Sequence, residues 1–398
     1  MSDFAARITR TPRPADPELG ADALAVFGDA DPALAEVLGG AAGSSPYLCG
    51  LIQKEVDWLR GAMFVAPDAA LDQLIVEACA LGTADVLPGL RQVKRRAALL
   101  IALADLAGVW DLTAVTGALT TLADVAVARA LEAGLAPILR RGLLPGFGEE
   151  DAQTGAGLAV LAMGKMGAFE LNYSSDIDLI CLFDETRYEP SDLAEVRSAL
   201  VKAVRSMTKI LSERTADGYV FRTDLRLRPD AAVTPVAMSM DAAERYYEAQ
   251  GRTWERAAFI KARAAAGDIE AGRRFLDALS PFVWRRHLDF WAIEDAHAMR
   301  LKIRDAKGLH QSGGVLGRDV KLGLGGIREI EFYAQTRQMI AGGRDPNLRV
   351  QDTCGAMAAL AKAGWVEPDD ARALSEDYVA HRALEHRNQM VDGEQTQL

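Results

Sequence analysis

The run Leu158–Asp184, LAVLAMGKMGAFELNYSSDIDLICLFD, constrains this chain more than any other stretch. Leu158 to Met163 is a short apolar segment ending at a glycine, the pattern of a buried strand. Ile177 to Phe183 is a second such segment, entered through Asp176 and Asp178. Strand side chains alternate faces, so these two aspartates point the same way. Paired carboxylates repel at neutral pH unless a metal ion or an arginine compensates them. Mg²⁺ takes oxygen ligands and commonly rests on one or two carboxylates plus substrate phosphates. The pair is therefore a candidate cation site.

A chain of 398 residues is long for one core, so two or three domains are expected. The net charge of -11 speaks against broad electrostatic binding to nucleic acid, so no nucleic-acid partner is expected. No apolar run approaches the roughly 20 residues that a membrane span needs, so no membrane partner is expected either. The first residues, MSDFAARITR, carry an early acid and no apolar h-region, which argues against a secretory signal. Cys49, Cys79, Cys181 and Cys354 are scattered without CxxC spacing and read as reduced thiols of a cytoplasmic protein.

Residues 1–20 carry Pro12, Pro14 and Pro17 among charges and suggest a flexible arm. From Pro32 to Arg141 the spacing is helical: Leu99, Leu103 and Leu106 recur on one face, as do Leu119, Leu122 and Ala126. Gly108, Gly117 and Gly134 are expected at corners or helix ends. Arg91, Lys94, Arg95 and Arg96 form a basic cluster whose favoured reading is a solvated face, ahead of a phosphate or partner contact. Pro and Gly return between Gly142 and Gly157 and mark an entry loop. After Asp184, Leu193, Val196, Leu200, Val204 and Leu211 give an amphipathic helix that stops near Asp217-Gly218.

The segment GYVFRTDLRLRPD alternates strictly and predicts a strand. One face would carry Val220, Arg222, Asp224, Arg226 and Arg228. Beside a paired-carboxylate strand, Asp224 could be a third metal ligand, and the arginines could meet phosphates. Beyond Pro235 the pattern is helical, with segments from Asp241 to Gln250, from Asp268 to Leu279 and from Asp289 to Lys307. Gly325-Gly326 precedes another helix, where Ile327, Ile330 and Ala334 share one face and Arg328, Glu331 and Gln335 another. A glycine turn before a helix is a potential anion site, although most such turns are corners.

Several motifs fail. Lys165 is followed by Met166, and Ala159 stands where a P-loop needs its first glycine. Arg328 occupies the last glycine position of the partial GxGxxG match that begins at Gly323. The histidines show no HExxH spacing, and His381 and His386 read as structural or surface residues.

The order strand, glycine turn, Ser174-Ser175, Asp176 and Asp178, helix, Asp224 resembles the nucleotidyltransferase fold shared with DNA polymerase beta. The phrases GKMGAFELNYSSDIDLICLFD, FRTDLRLRPD, GRTWERAAFIKAR and DVKLGLGGIREIEF resemble the bacterial bifunctional glutamine-synthetase adenylyltransferase/adenylyl-removing family. The wording ELNYSSDID and the helical leader are similar to the N-terminal, removing half. The resemblance implies an α+β chain in which a mixed nucleotidyltransferase sheet over residues 151–235 lies between helical domains at 21–150 and 236–398. It further implies that the chain is the separated first half of a longer enzyme. Its reaction would be phosphorolysis of AMP from a glutamine-synthetase tyrosine, giving ADP. The alternatives are attachment of AMP from ATP and a non-catalytic regulatory module.

Carried onto this sequence, the resemblance makes Asp176, Asp178 and Asp224 the catalytic ligands of Mg²⁺, with two ions expected and Mn²⁺ a possible substitute. Gly164, Lys165, Ser175, Arg222, Arg226 and Arg228 would bind the nucleotide or phosphate. It also draws attention to Trp254, Glu255, Arg256, Lys261 and Arg263, for which packing behind the sheet is an equal alternative. The implied partners are adenylylated glutamine synthetase, inorganic phosphate, an adenine nucleotide and a PII-type nitrogen regulator.

Overall fold

The computed structural model describes residues 4–28, 30–286 and 319–392. The helix expected from Asp289 to Lys307 and the histidines His287, His297 and His310 lie outside the described residues.

At the centre is a sheet of β1 (Leu158–Ala162), β2 (Ile177–Phe183), β3 (Thr223–Asp224), β4 (Ala237–Ser239) and β5 (Arg263–Gly267). Its order is β3-β2-β1-β5, and β4 pairs with β2 as well. β1 runs antiparallel to β2 and β5, whereas β3 and β4 run parallel to β2. This is the kind of mixed sheet that the resemblance implied, but β4 and β5 lie beyond residue 235, in text read as helical throughout, so the sheet extends past the expected 151–235. β1 and β2 read as continuous apolar runs because both faces of the sheet are covered. Leu158, Val160, Ile177 and Leu179 enter a large core shared with the N-terminal helices. Leu161, Ile180 and Leu182 enter a smaller core with Tyr247, Phe259 and Phe275.

Helices cover the large-core face, with Leu112–Leu139 packed on Leu193–Ser212 and on β5. Gly134 lies inside the first of these, where a Cβ would sit 2.7 Å from the Ala203 carbonyl oxygen, so a glycine permits the close crossing. Gly117 is also within that helix, and only Gly108 marks a corner as expected. The second helix ends at Ser212, ahead of the expected Asp217-Gly218 stop. Helices Met240–Gln250, Ile269–Val283 and Ile327–Ala341 appear where the sequence placed them, the second capped by the Asp268 side chain accepting from Ala271 N–H.

Three expectations are corrected. The N-terminal arm is docked from Phe4 onward: Phe4 is fully buried, and Thr9 and Arg10 donate backbone N–H bonds to the Ala107 carbonyl. A helix already begins at Pro17, and the large core runs unbroken past residue 150. The basic cluster is not a solvated face. Arg91 is buried and donates to the carbonyls of Leu87, Ile210, Glu213 and Gly218, while Arg95 and Arg96 both bond Glu55. Finally, the alternating segment after Gly218 contributes only Thr223-Asp224 to the sheet. Val220 and Phe221 are buried in succession because both donate to the Leu211 carbonyl, and the chain turns after Asp224.

The last helix, Pro368–Asp392, is tied to the rest by buried polar side chains. Arg382 donates to the Glu170 carbonyl at 2.6 Å, and Arg387 meets Asp105 at 2.8 Å. His386 is buried with its Nδ1 3.3 Å from Asp105, the structural role expected of it. Among the described residues no helix is long and apolar enough to cross a membrane.

Candidate active site

Parallel pairing of β2 with β3 sets Ile177 opposite Thr223 and Asp178 opposite Asp224. Asp176 precedes them by one turn of the pleat, so all three predicted carboxylates gather at one end of the sheet. Their mutual effect shows in Asp178, whose acid is pushed up to about 6, first by burial and then by the charges of Asp224 and Asp176. Arg328 and Lys321 act on it in the opposite sense.

Gly164 belongs to the same corner. Its φ of +54° is in the left-handed region, and a Cβ there would lie 3.1 Å from Asp178 Oδ2. The turn that follows is equally tight, since a Cβ on Gly167 would fall 1.8 Å from the Lys261 carbonyl oxygen. Both glycines of GKMG are therefore required by close approach, one to a carboxylate and one to the chain before β5.

Two carboxylates have arginine partners. Asp176 accepts from Arg222 Nε at 2.6 Å. Asp224 accepts from Arg226 Nε at 2.9 Å and Nη2 at 2.5 Å, and the hydrogen bonds of Arg226 hold its acid below the usual carboxylate range. The Asp178 carboxylate has no hydrogen-bond partner among the described residues, although its backbone carbonyl accepts from Met163 N–H. As the side chains stand, no group of three His, Cys, Asp or Glu among the described residues could hold a metal ion. The donor set nevertheless suits a hard divalent cation: Asp178 has unmet charge, and the Arg226 side chain is 83% exposed and free to release Asp224. Releasing Asp176 asks more, because Arg222 is also anchored on Tyr219 Oη at 2.8 Å and the Ser174 carbonyl at 2.5 Å.

The predicted phosphate ligands divide. Arg222 and Arg226 stand at the carboxylates. Arg228 does not: it bonds the carbonyls of Leu225, Ala231 and Thr234 at 2.7–3.0 Å and staples its own loop. Lys165 is turned instead to buried Glu385 of the last helix, both oxygens at 3.1 Å. Burial, with the nearby charges of Arg382 and Lys321, pulls its ammonium down to about 7. Ser175 is half-buried beside Ser174, whose N–H donates to Gln389 Oε1 at 3.1 Å.

Glu255, Arg256, Lys261 and Arg263 serve the fold. Lys261 is buried between Glu170 at 2.7 Å and Glu331 at 2.8 Å, and Arg263 reaches Asp124 at 2.6 Å. Glu255 bonds the Arg252 N–H at the start of its helix, and Arg256 donates to the Val283 carbonyl. Glu170, Glu385 and Gln389 gave no sequence signal, because isolated polar residues on helical or loop text read as surface. Lys321 and Arg328, whose charges reach Asp178, also escaped selection; the visible cue was a basic residue two positions after the Gly325-Gly326 turn.

The family profile for glutamate-ammonia ligase adenylyltransferase matches residues 38–278. The chain belongs to this family. Its α+β architecture, with the mixed nucleotidyltransferase sheet, is that of the family. A second profile, GlnD PII-uridylyltransferase, matches residues 297–398. Curated relatives are named bifunctional glutamine synthetase adenylyltransferase/adenylyl-removing enzyme. One from Xanthobacter autotrophicus is 51% identical over 90% of this chain, and one from Caulobacter vibrioides is 46% identical over 89%. A relative from a Bradyrhizobium strain is 47% identical over 96% of the chain. The matches cover only 36–39% of those relatives, so the chain spans little more than a third of their length.

Proposed function

We propose that this chain removes AMP from an adenylylated tyrosine of glutamine synthetase, with inorganic phosphate as acceptor and ADP as product. The observation that carries the reading is the meeting of Asp176, Asp178 and Asp224 beside the Gly164 turn, in a member of an adenylyltransferase family. The relatives' names include both attachment and removal of the adenylyl group. Removal is favoured here by the resemblance of ELNYSSDID to the removing half.

Asp178 and Asp224, with Asp176 once Arg222 gives way, would hold Mg²⁺ or Mn²⁺. Such ions, when bound, offset charge on the attacking and leaving oxygens of an in-line displacement at phosphorus. The absence of a side chain at Gly164 leaves room for a phosphate beside Asp178. Arg226 is placed to exchange Asp224 for a substrate phosphate, and Arg328 and Lys321 bring further positive charge to Asp178. A phosphate oxygen attacks the AMP phosphorus, and the bond to the tyrosine oxygen breaks with its electrons leaving on the phenolate. Water then reprotonates it. A phenol of pKa about 10 leaves readily, so a strong general acid is not needed. Lys165 supports the turn from behind through Glu385.

In this reading the chain is an enzyme of nitrogen regulation, working in the cytoplasm on glutamine synthetase and answering to a PII-type regulator. The test is incubation with adenylylated glutamine synthetase, Mg²⁺ and phosphate. Phosphate-dependent ADP supports the proposal. Consumption of ATP with unmodified glutamine synthetase, without phosphate, would assign the forward reaction instead.

A further inference from the structure

A cavity of about 750 Å³ opens beside the carboxylates, between helices Pro46–Lys54 and Val86–Leu106, the 214–222 segment and Ser174-Ser175. It falls within the size range of small-molecule sites, about 300–1,000 Å³, and far exceeds what a lone phosphate ion fills. Its wall is strongly basic. Lys54, Lys94, Arg95, Arg214 and Arg222 line it, against one carboxylate, Asp217.

Most of these cations are already engaged. Lys54 and Arg95 share Asp217 at 2.8 and 3.1 Å, Arg222 holds Asp176, and Arg214 rests over the Tyr219 ring. Lys94 differs. Among the described residues its ammonium meets only the Phe221 ring, 4.3 Å from the centroid, and no carboxylate or hydrogen-bond acceptor. Burial and the nearby Arg222 charge drag it down to about 8. Lys94 is half-buried at the cavity wall; a cation partly withdrawn from water without a counterion carries a cost that a bound anion would relieve. Tyr47, half exposed, Tyr219 and Phe221 supply ring surface around the cation.

We propose that this cavity is a nucleoside-phosphate site, with a phosphate oxygen on Lys94 and Arg222 and the base among the aromatic side chains. The choice of a nucleotide over other ring-bearing anions rests on the reading of the neighbouring carboxylates as an adenylyl-handling centre. Because Arg222 touches both places, a nucleotide here lies against Asp176, with its phosphates directed to the metal-binding end of the sheet.

The experiment measures ADP, adenosine and inorganic phosphate binding to the 398-residue chain by titration calorimetry in EDTA, for the parent protein and for Lys94→Met, Lys94→Arg and Asp178→Asn. ADP should bind the parent, bind K94M at least about tenfold more weakly, and recover with K94R. D178N should bind ADP as the parent does or more tightly. Adenosine and phosphate should each bind far more weakly than ADP. Undiminished ADP binding by K94M overturns the assignment, and so does phosphate binding as tight as ADP, which would make this a simple anion pocket. Circular dichroism and urea unfolding confirm that K94M is folded; with an unpaired, half-buried charge removed, it should be no less stable than the parent. De-adenylylation is assayed in parallel. An active parent whose K94M variant binds ADP normally refutes the pocket alone, whereas Lys94-dependent binding without de-adenylylation refutes the proposed reaction alone.

Discussion

Asp178→Asn should make the protein more stable while abolishing its activity. The Asp178 acid is pushed from its ordinary 3.8 to about 6. Two units at 1.36 kcal/mol each cap the penalty on the ionised native state at about 3 kcal/mol. The side chain keeps some exposure, so screening reduces the effect to about 1–2 kcal/mol. The sign follows from proton binding. The folded chain holds this proton more tightly than the unfolded chain, so the penalty is absent near pH 3.8, grows as pH rises through about 6, and is constant above. Asparagine carries no such charge. Urea unfolding at pH 5 and pH 8 without divalent metal should therefore show the variant gaining on the parent between the two conditions, and more stable at pH 8. Adding Mg²⁺ at pH 8 should stabilise the parent and leave the variant unmoved. A variant less stable than the parent at pH 8, or with the same pH dependence, would refute the claim that Asp178 stands uncompensated beside two other carboxylates.

Lys261→Met should cost about 3–5 kcal/mol in urea unfolding, because it strands buried Glu170 and Glu331 without their cation. Gly167→Ala should cost about 3 kcal/mol or more, since the new Cβ would fall 1.8 Å from a backbone oxygen, and a lowered unfolding midpoint checks it. Arg228→Ala and Arg226→Ala should separate structure from chemistry. The first frees three loop carbonyls and lowers stability by about 1–3 kcal/mol. The second removes the ion pair that holds the Asp224 acid down, so it lowers the urea midpoint less than the first and chiefly lowers the rate of ADP formation; Arg226 is exposed and, among the described residues, bound only to Asp224.

β1, β2 and the three carboxylates were legible because strand text is short-range information, whereas β4 and β5, short and rich in alanine, read as helix. Apolar runs at Leu158 and Ile177, an Asp-x-Asp entrance and a later Thr-Asp are enough to place one end of a sheet. The alternating stretch from Tyr219 misled because period-two spacing cannot show where backbone bonds go. Val220 and Phe221 turn to the end of a helix, and Arg228 spends its donors on its own loop. Charge was read least well. Arg91 and Lys165 looked like surface or substrate contacts in the sequence, and Lys261 had packing behind the sheet only as an equal alternative; each found its partner far away in the chain, the Glu213 carbonyl and the Glu385 and Glu170 carboxylates respectively. Such pairings depend on how helices dock, which local spacing does not encode. The docked N-terminus is the same kind of miss, since buried Phe4 and the Thr9 and Arg10 bonds to Ala107 join it to a distant helix end.

The most direct test of the central claim is to give the chain glutamine synthetase carrying radiolabelled AMP on its tyrosine, with Mg²⁺ and with or without inorganic phosphate. The account predicts labelled ADP only when phosphate is present, and none from Asp178→Asn. Label that stays on glutamine synthetase, or that leaves as AMP regardless of phosphate, would contradict it.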